Sequence, residues 1–109
     1  MIKLPRGNSG AFSLALTNGD GTAFVPSEND TVIFTVKKSR SKSAAALIVK
    51  KIAPSDNMVI TIDPADTIGL AEGDYYYDVA VCIGGSGFYT VVLCDEFKLL
   101  PALGDMEMI

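Results

Sequence analysis

Apolar and polar positions alternate over most of the chain in short runs broken by Gly, Asn, Asp, Ser and Pro clusters. In the first run Phe12, Leu14 and Leu16 alternate with Ala11, Ser13 and Ala15, which predicts a half-buried strand over 11–17. Asn18-Gly19-Asp20-Gly21 then turns the chain, since both Asn-Gly and Asp-Gly accept positive φ. Thr31-Val32-Ile33-Phe34-Thr35-Val36-Lys37 is rich in β-branched residues that suit a pleated surface and predicts a second strand. Lys38 to Ser43 is polar. In Ala44 to Ala53, Ser43 offers a cap for a short helix, but Leu47-Ile48-Val49 and Ile52 favour a strand. Met58, Ile60 and Ile62 mark one face of a strand over 58–63. Asp63-Pro64 then reads as a helix start, with Asp at the cap and Pro where a missing N–H costs nothing, giving one helical turn near 64–70. Tyr75 to Ile83 predicts a strand with Tyr75, Tyr77, Val79, Val81 and Ile83 inward. Gly84-Gly85-Ser86-Gly87 is its hairpin turn, and Phe88 to Leu99 or Leu100 is the return strand. The tail, Pro101 to Ile109, is expected to be loosely structured.

Short strands at close spacing with turn residues between them point to an all-β sandwich or barrel of about seven strands, not to βαβ units. With 109 residues the chain is one domain (1–109) around one core, burying roughly two-thirds of its unfolded surface. A hydrophobic content of 49% exceeds what one small core hides, and self-association is the simplest remedy. The opening residues hold no apolar stretch suited to a signal peptide. The longest apolar run, Ala44 to Val49, falls far short of the ~20 residues that span a bilayer. A product that is cytoplasmic when made, without membrane contact, is therefore expected.

Composition removes whole classes of chemistry. The chain has no histidine, which excludes Ser-His-Asp, Cys-His and His-metal arrangements. The glycine-rich stretch 84–87 lacks the Lys-Ser/Thr of a phosphate loop, and Asp20 lacks the alternating acids and closing Glu of a calcium loop. Asp63 with Asp66, and Asp95 with Glu96, are carboxylate pairs, yet the first reads as a cap and the second flanks a strand residue. No catalytic, cofactor or metal site is expected. Cys82 lies beside the hairpin turn and Cys94 about five positions further from it, a separation of roughly 16 Å against a bridging limit near ~7 Å, so two free thiols are expected.

Charge is segregated. Residues 1–52 hold eight basic and three acidic side chains, a net +5, whereas residues 53–109 hold one basic and ten acidic, a net −9. Lys37, Lys38, Arg40 and Lys42, with Lys50 and Lys51 on the adjacent strand, would gather at one end of a hairpin. They serve either to guard an edge strand with lysines or to meet the acidic half of a neighbouring copy through Glu72, Asp74, Asp95 and Glu96, in a head-to-tail ring. Nucleic acid is a poor partner for a chain of pI about 4.6 with no aromatic residue among these bases. Tyr75-Tyr76-Tyr77 is either a platform for sugar stacking or, preferably, a corner at which a tyrosine hydroxyl bonds back to backbone a few residues upstream, as in immunoglobulin-like sandwiches. Met106, Met108 and Ile109 give the tail an apolar end for its own sandwich or a neighbour's.

Several segments in order, Arg6-Gly7-Asn8-Ser9-Gly10-Ala11-Phe12, Asp20-Gly21, Asp30-Thr31-Val32-Ile33-Phe34-Thr35-Val36-Lys37-Lys38, Ile60-Thr61-Ile62-Asp63-Pro64-Ala65-Asp66-Thr67, Leu70 and Gly73-Asp74-Tyr75-Tyr76-Tyr77-Asp78-Val79, together resemble a known family. It is the N-terminal domain of baseplate upper proteins and related short tail-associated proteins of phages and prophages of Gram-positive bacteria. The resemblance implies an immunoglobulin-like sandwich that docks into a tail or baseplate and catalyses nothing. Its partners would be copies of itself and other tail proteins, with no small-molecule substrate and no cofactor, and its destination the virion. The alternative is a stand-alone immunoglobulin-like module that binds carbohydrate or protein.

Overall fold

The computed structural model describes residues 1–14, 16, 20–22, 24, 27, 29–41, 43–52, 58–85 and 87–104, without the side chain of Leu93. Its elements in chain order are β1 (Ile2–Pro5), β2 (Gly10–Ser13), β3 (Thr31–Lys37), β4 (Ile48–Ile52), β5 (Val59–Ile62), α1 (Pro64–Thr67), β6 (Gly73–Ile83) and β7 (Gly87–Leu100). The larger, curled sheet has five strands in the order β1-β7-β6-β3-β4, and β2 pairs with β5 in a second sheet. Among the described residues the chain is all-β apart from α1.

Alternation decides how β3 sits. Val32, Phe34 and Val36 point inward and are at most 1% exposed, while Ile33, Thr35 and Lys37 are half-buried on the outer face. Burying each inner side chain is worth about 1.5–3 kcal/mol. Antiparallel neighbours flank β3 on both sides: Phe34 pairs with Val79 of β6 and with Lys50 of β4. Ile60 and Ile62 of β5 join Val32, Phe34, Val36, Tyr75, Val79, Phe97 and Leu99 in one core, with Phe12, Leu14 and Leu16 packed against it. The two sheets therefore share their hydrophobic interior.

β6 and β7 form a long hairpin turned by Gly84 and Gly85, at φ +58° and +75°. The β6–β7 ladder shifts register twice, between Tyr77 and Val79 and between Val79 and Ala80, where β7 carries the extra residues. These are β-bulges. Cys94 lies in the first, with φ +20°. Cys82 pairs with Phe88 near the turn while Cys94 lies far down the strand, and both thiols are free.

Two expectations are corrected, and one strand was not anticipated. Ile2–Pro5 is a strand, parallel to Phe97–Leu100; four residues whose partner lies at the other end of the chain leave no periodic signal. The strand expected over 44–53 begins only at Ile48; Leu47 is held by its N–H to the Val36 carbonyl at 2.8 Å, and Ala53 is outside the described residues. Ile83 is 41% exposed instead of inward, because Cys82 pairs with Thr31, the first residue of β3, and Ile83 lies beyond that strand's end.

The strand expected over 11–17 is regular only for Gly10–Ser13, although Leu14 still donates its N–H to the Met58 carbonyl at 2.8 Å. The helical turn expected near 64–70 spans Pro64–Thr67. Asp66 supplies the cap bond, its carboxylate accepting the Asp63 N–H at 2.7 Å. Thr67 is fully buried and accepts the Gly7 N–H at 2.8 Å, and Arg6 donates to the Ile68 carbonyl at 2.6 Å, so the chain after β1 is tied to α1.

Candidate interaction surface

The outer face of β3, β6 and β7 carries a groove of about 350 Å³. Ile33, Thr35, Tyr76, Ala80 and Phe88 line it, and Arg40 stands at one end with its guanidinium 4.7 Å above the Tyr76 ring. Period-2 alternation sends these residues outward while their neighbours fill the core. Lys37 and Asp78 also border the groove, so its rim holds charges of both signs.

Beyond the groove, the distal hairpin exposes Phe88 (65%), Tyr89 (58%) and Val91 (45%). Adjacent residues of a strand face opposite sides, so Phe88 and Tyr89 cannot both enter one core. That pair is the signal for this surface in the sequence, and it carries neither charge nor a titratable cluster.

The basic residues are not gathered as expected. Lys37 and Lys38 lie at the end of β3 and Arg40 just beyond it, but Lys50 and Lys51 pair with Phe34 and Ile33, nearer the start of that strand. Lys50 also points to the inner face between buried Ile48 and Ile52 and reaches α1, with its Nζ 2.7 Å from Asp66 and 3.7 Å from Asp63. Burial pushes the Asp66 carboxyl up, but Lys50 and the Asp63 N–H outweigh it and hold it below the ordinary carboxylate value. Lys51 is exposed on the outer face. Lys42 lies outside the described residues, as do Met106, Met108 and Ile109.

Two of the four acids expected to face a neighbour, Asp74 and Asp95, lie beside cationic groups of the same chain. Lys38 donates to the Asp74 carbonyl at 3.0 Å and sits 4.3 Å above the Tyr75 ring, and Lys98 lies 3.7 Å from the Asp74 carboxylate. Glu72 is exposed in the approach to β6, and Glu96 is half-buried on β7. Asp95 accepts from the Met1 amine at 3.0 Å, from the Glu96 N–H at 2.8 Å and from the Tyr77 hydroxyl at 3.3 Å. The amine and the Glu96 N–H hold its carboxyl below the ordinary value, whereas burial and then the Asp95 charge raise the Tyr77 hydroxyl. Charge segregated along the sequence is thus interleaved in space at this end of the fold.

The tyrosine cluster is divided between core and surface. Tyr75 is 3% exposed and its hydroxyl donates to the Ala71 carbonyl, four residues upstream, at 2.7 Å. Tyr77 stacks on Phe34 with ring centroids 5.5 Å apart. Tyr76 and Tyr77 both border the groove while Tyr75 is buried, so the three do not form one exposed platform. Asp20 closes a turn, accepting the Thr22 N–H at 3.0 Å and the Thr22 hydroxyl at 2.6 Å, and those bonds lower its carboxyl.

No protein-family model, curated protein or solved structure matches this chain. Among the described residues, no three His, Cys, Asp or Glu side chains converge to hold a metal ion, and no helix is long and apolar enough to cross a membrane. What the geometry offers is an apolar, sheet-borne surface with a mixed charged rim.

Proposed function

We propose that this chain is a structural subunit of a phage or prophage virion, a tail or baseplate module that works through protein–protein contacts and not through catalysis. The observation that carries the assembly reading is the exposed apolar arm, where Phe88 borders the outer-face groove and Tyr89 and Val91 are exposed beside it on the same strand. Contiguous apolar surface of this kind marks sites of protein contact. The tail or baseplate assignment comes from the ordered resemblance, which spans roughly residues 6–98.

The same reading takes the fold as an immunoglobulin-like sandwich. Two sheets share one core, and the Tyr75 hydroxyl bonds back to Ala71 at the entry to β6, as a tyrosine corner does in that architecture. Such a domain offers sheet faces and edges for docking and needs no bound group.

The test is co-expression with the products of the flanking genes, followed by affinity isolation and light scattering. A complex of fixed stoichiometry with a tail protein is expected. A chain that stays monomeric at low and high salt and joins no complex would sink the proposal.

A further inference from the structure

We propose that the open edge of β7, from Gly87 to Val92, pairs antiparallel with the same segment of a second copy, so that the larger sheets of two chains become one. The inference rests on the reading of the chain as an assembly module and names a second copy as one of its partners.

The two edges of the larger sheet are built differently. At the β4 edge, Lys50 points inward and Lys51 outward, a common way of making an edge strand unfit to pair. At the other edge β1 covers β7 only from Phe97 to Leu100. Gly87 to Cys94 lies beyond that cover and has no strand on its outer side among the described residues. This stretch, Gly-Phe-Tyr-Thr-Val-Val-Leu-Cys, contains no charge and no proline. Among the described residues no strand bonds its backbone donors and acceptors on that side, and its exposed Phe88, Tyr89 and Val91 would lose water on pairing.

Charge selects the direction in which a second copy pairs. The nearest charges on β7 are Asp95 and Glu96, both at one end of the neutral stretch. A parallel copy would set each acid beside its own counterpart, whereas an antiparallel copy places the two pairs at opposite ends of the joined segment. A two-fold axis normal to the sheet produces the antiparallel arrangement and keeps both grooves on one face. The β-bulges begin at Val91, which limits the regular ladder to a few residues on each side. The pairing is therefore short, and the dimer is expected to depend on concentration and to be indifferent to salt.

Sedimentation velocity on the full chain, from low to high micromolar concentration, tests this. The wild-type chain should double in mass with concentration at both low and high salt. Val91→Lys and Tyr89→Lys, at exposed positions, should remain monomeric at the highest concentration with unchanged circular dichroism, while Lys51→Glu should dimerise like wild type. Hydrogen exchange on the wild-type chain is the check that needs no variant: amides of 87–92 should become protected as dimer forms. A monomeric wild type, a dimer that survives both lysine substitutions, or a dimer without added protection at 87–92 would overturn the proposal. A monomeric wild type that still enters a tail-protein complex refutes the edge pairing alone. A dimer that joins no such complex refutes the virion assignment alone.

Discussion

Replacing Tyr75 by Phe removes one oxygen and keeps the ring. That hydroxyl donates to the Ala71 carbonyl at 2.7 Å, while the ring is 3% exposed in the core. The bond's net value is about 0.5–1.5 kcal/mol, and a sealed, orphaned carbonyl would add about 1–3 kcal/mol. Ala71 is on the exposed side of the corner, so water can take the vacated position and most of the second contribution is not incurred. The expected loss is therefore about 1–1.5 kcal/mol. An unfolding entropy of ~2.1 cal/mol/K per residue over 109 residues converts 1 kcal/mol to about 4 °C, so the melting temperature should fall by about 5 °C. Urea unfolding followed by far-ultraviolet circular dichroism measures the free energy directly, and an unchanged m-value would show that the same surface is exposed. Tyr76→Phe is the control, because Tyr76 offers its ring to Arg40 in the groove, and its cost should stay under about 0.5 kcal/mol. If Tyr75→Phe were as stable as wild type to within ~0.3 kcal/mol, or no worse than Tyr76→Phe, the corner bond would not be holding the entry to β6.

Two further substitutions test the frame. Gly73 opens β6 at φ +135°, and a Cβ there would meet only the Lys38 Nζ at 3.6 Å, so Gly73→Ala is opposed by the backbone and not by crowding. It should cost about 1–3 kcal/mol in urea unfolding, while Gly69→Ala, in open space, should cost nothing measurable. Asp66→Asn weakens the link from Lys50 to α1. Both side chains are 24% exposed and solvent screens part of the interaction, so about 0.5–1.5 kcal/mol is expected at pH 7. Because the folded-state carboxyl lies below its unfolded value, the contribution is present above about pH 4 and is lost as pH falls through the folded pKa. The gap between wild type and Asp66→Asn should close on acidification toward pH 2, and a gap constant with pH would contradict the ionic origin.

The strands of the central pairing were legible because each carries its own periodic signal. Val32, Phe34 and Val36 alternate with half-buried neighbours as the pattern requires, and Tyr77 to Val81 pairs with them. The tyrosine corner was legible for a local reason: the hydroxyl and its acceptor lie four residues apart. The surface was less so. The sequence places Lys37, Lys38, Arg40, Lys50 and Lys51 close together, but the direction of Lys50 depends on which face of β4 meets the second sheet, and its partner is in α1.

By itself, then, the sequence determined an all-β chain, most of its strands, the helical turn after Asp63 and the separation of its two thiols, all of which follow from period-2 alternation, turn chemistry and chain geometry. The tertiary structure decided three things that depend on residues far apart in sequence. It added β1 as a parallel strand on Phe97–Leu100, brought Asp74 beside Lys38 and Lys98, and, among the described residues, set no strand against the outer edge of β7 from Gly87 to Cys94. Pairing across a sheet is chosen by the burial of whole faces, and no local window of residues contains that choice.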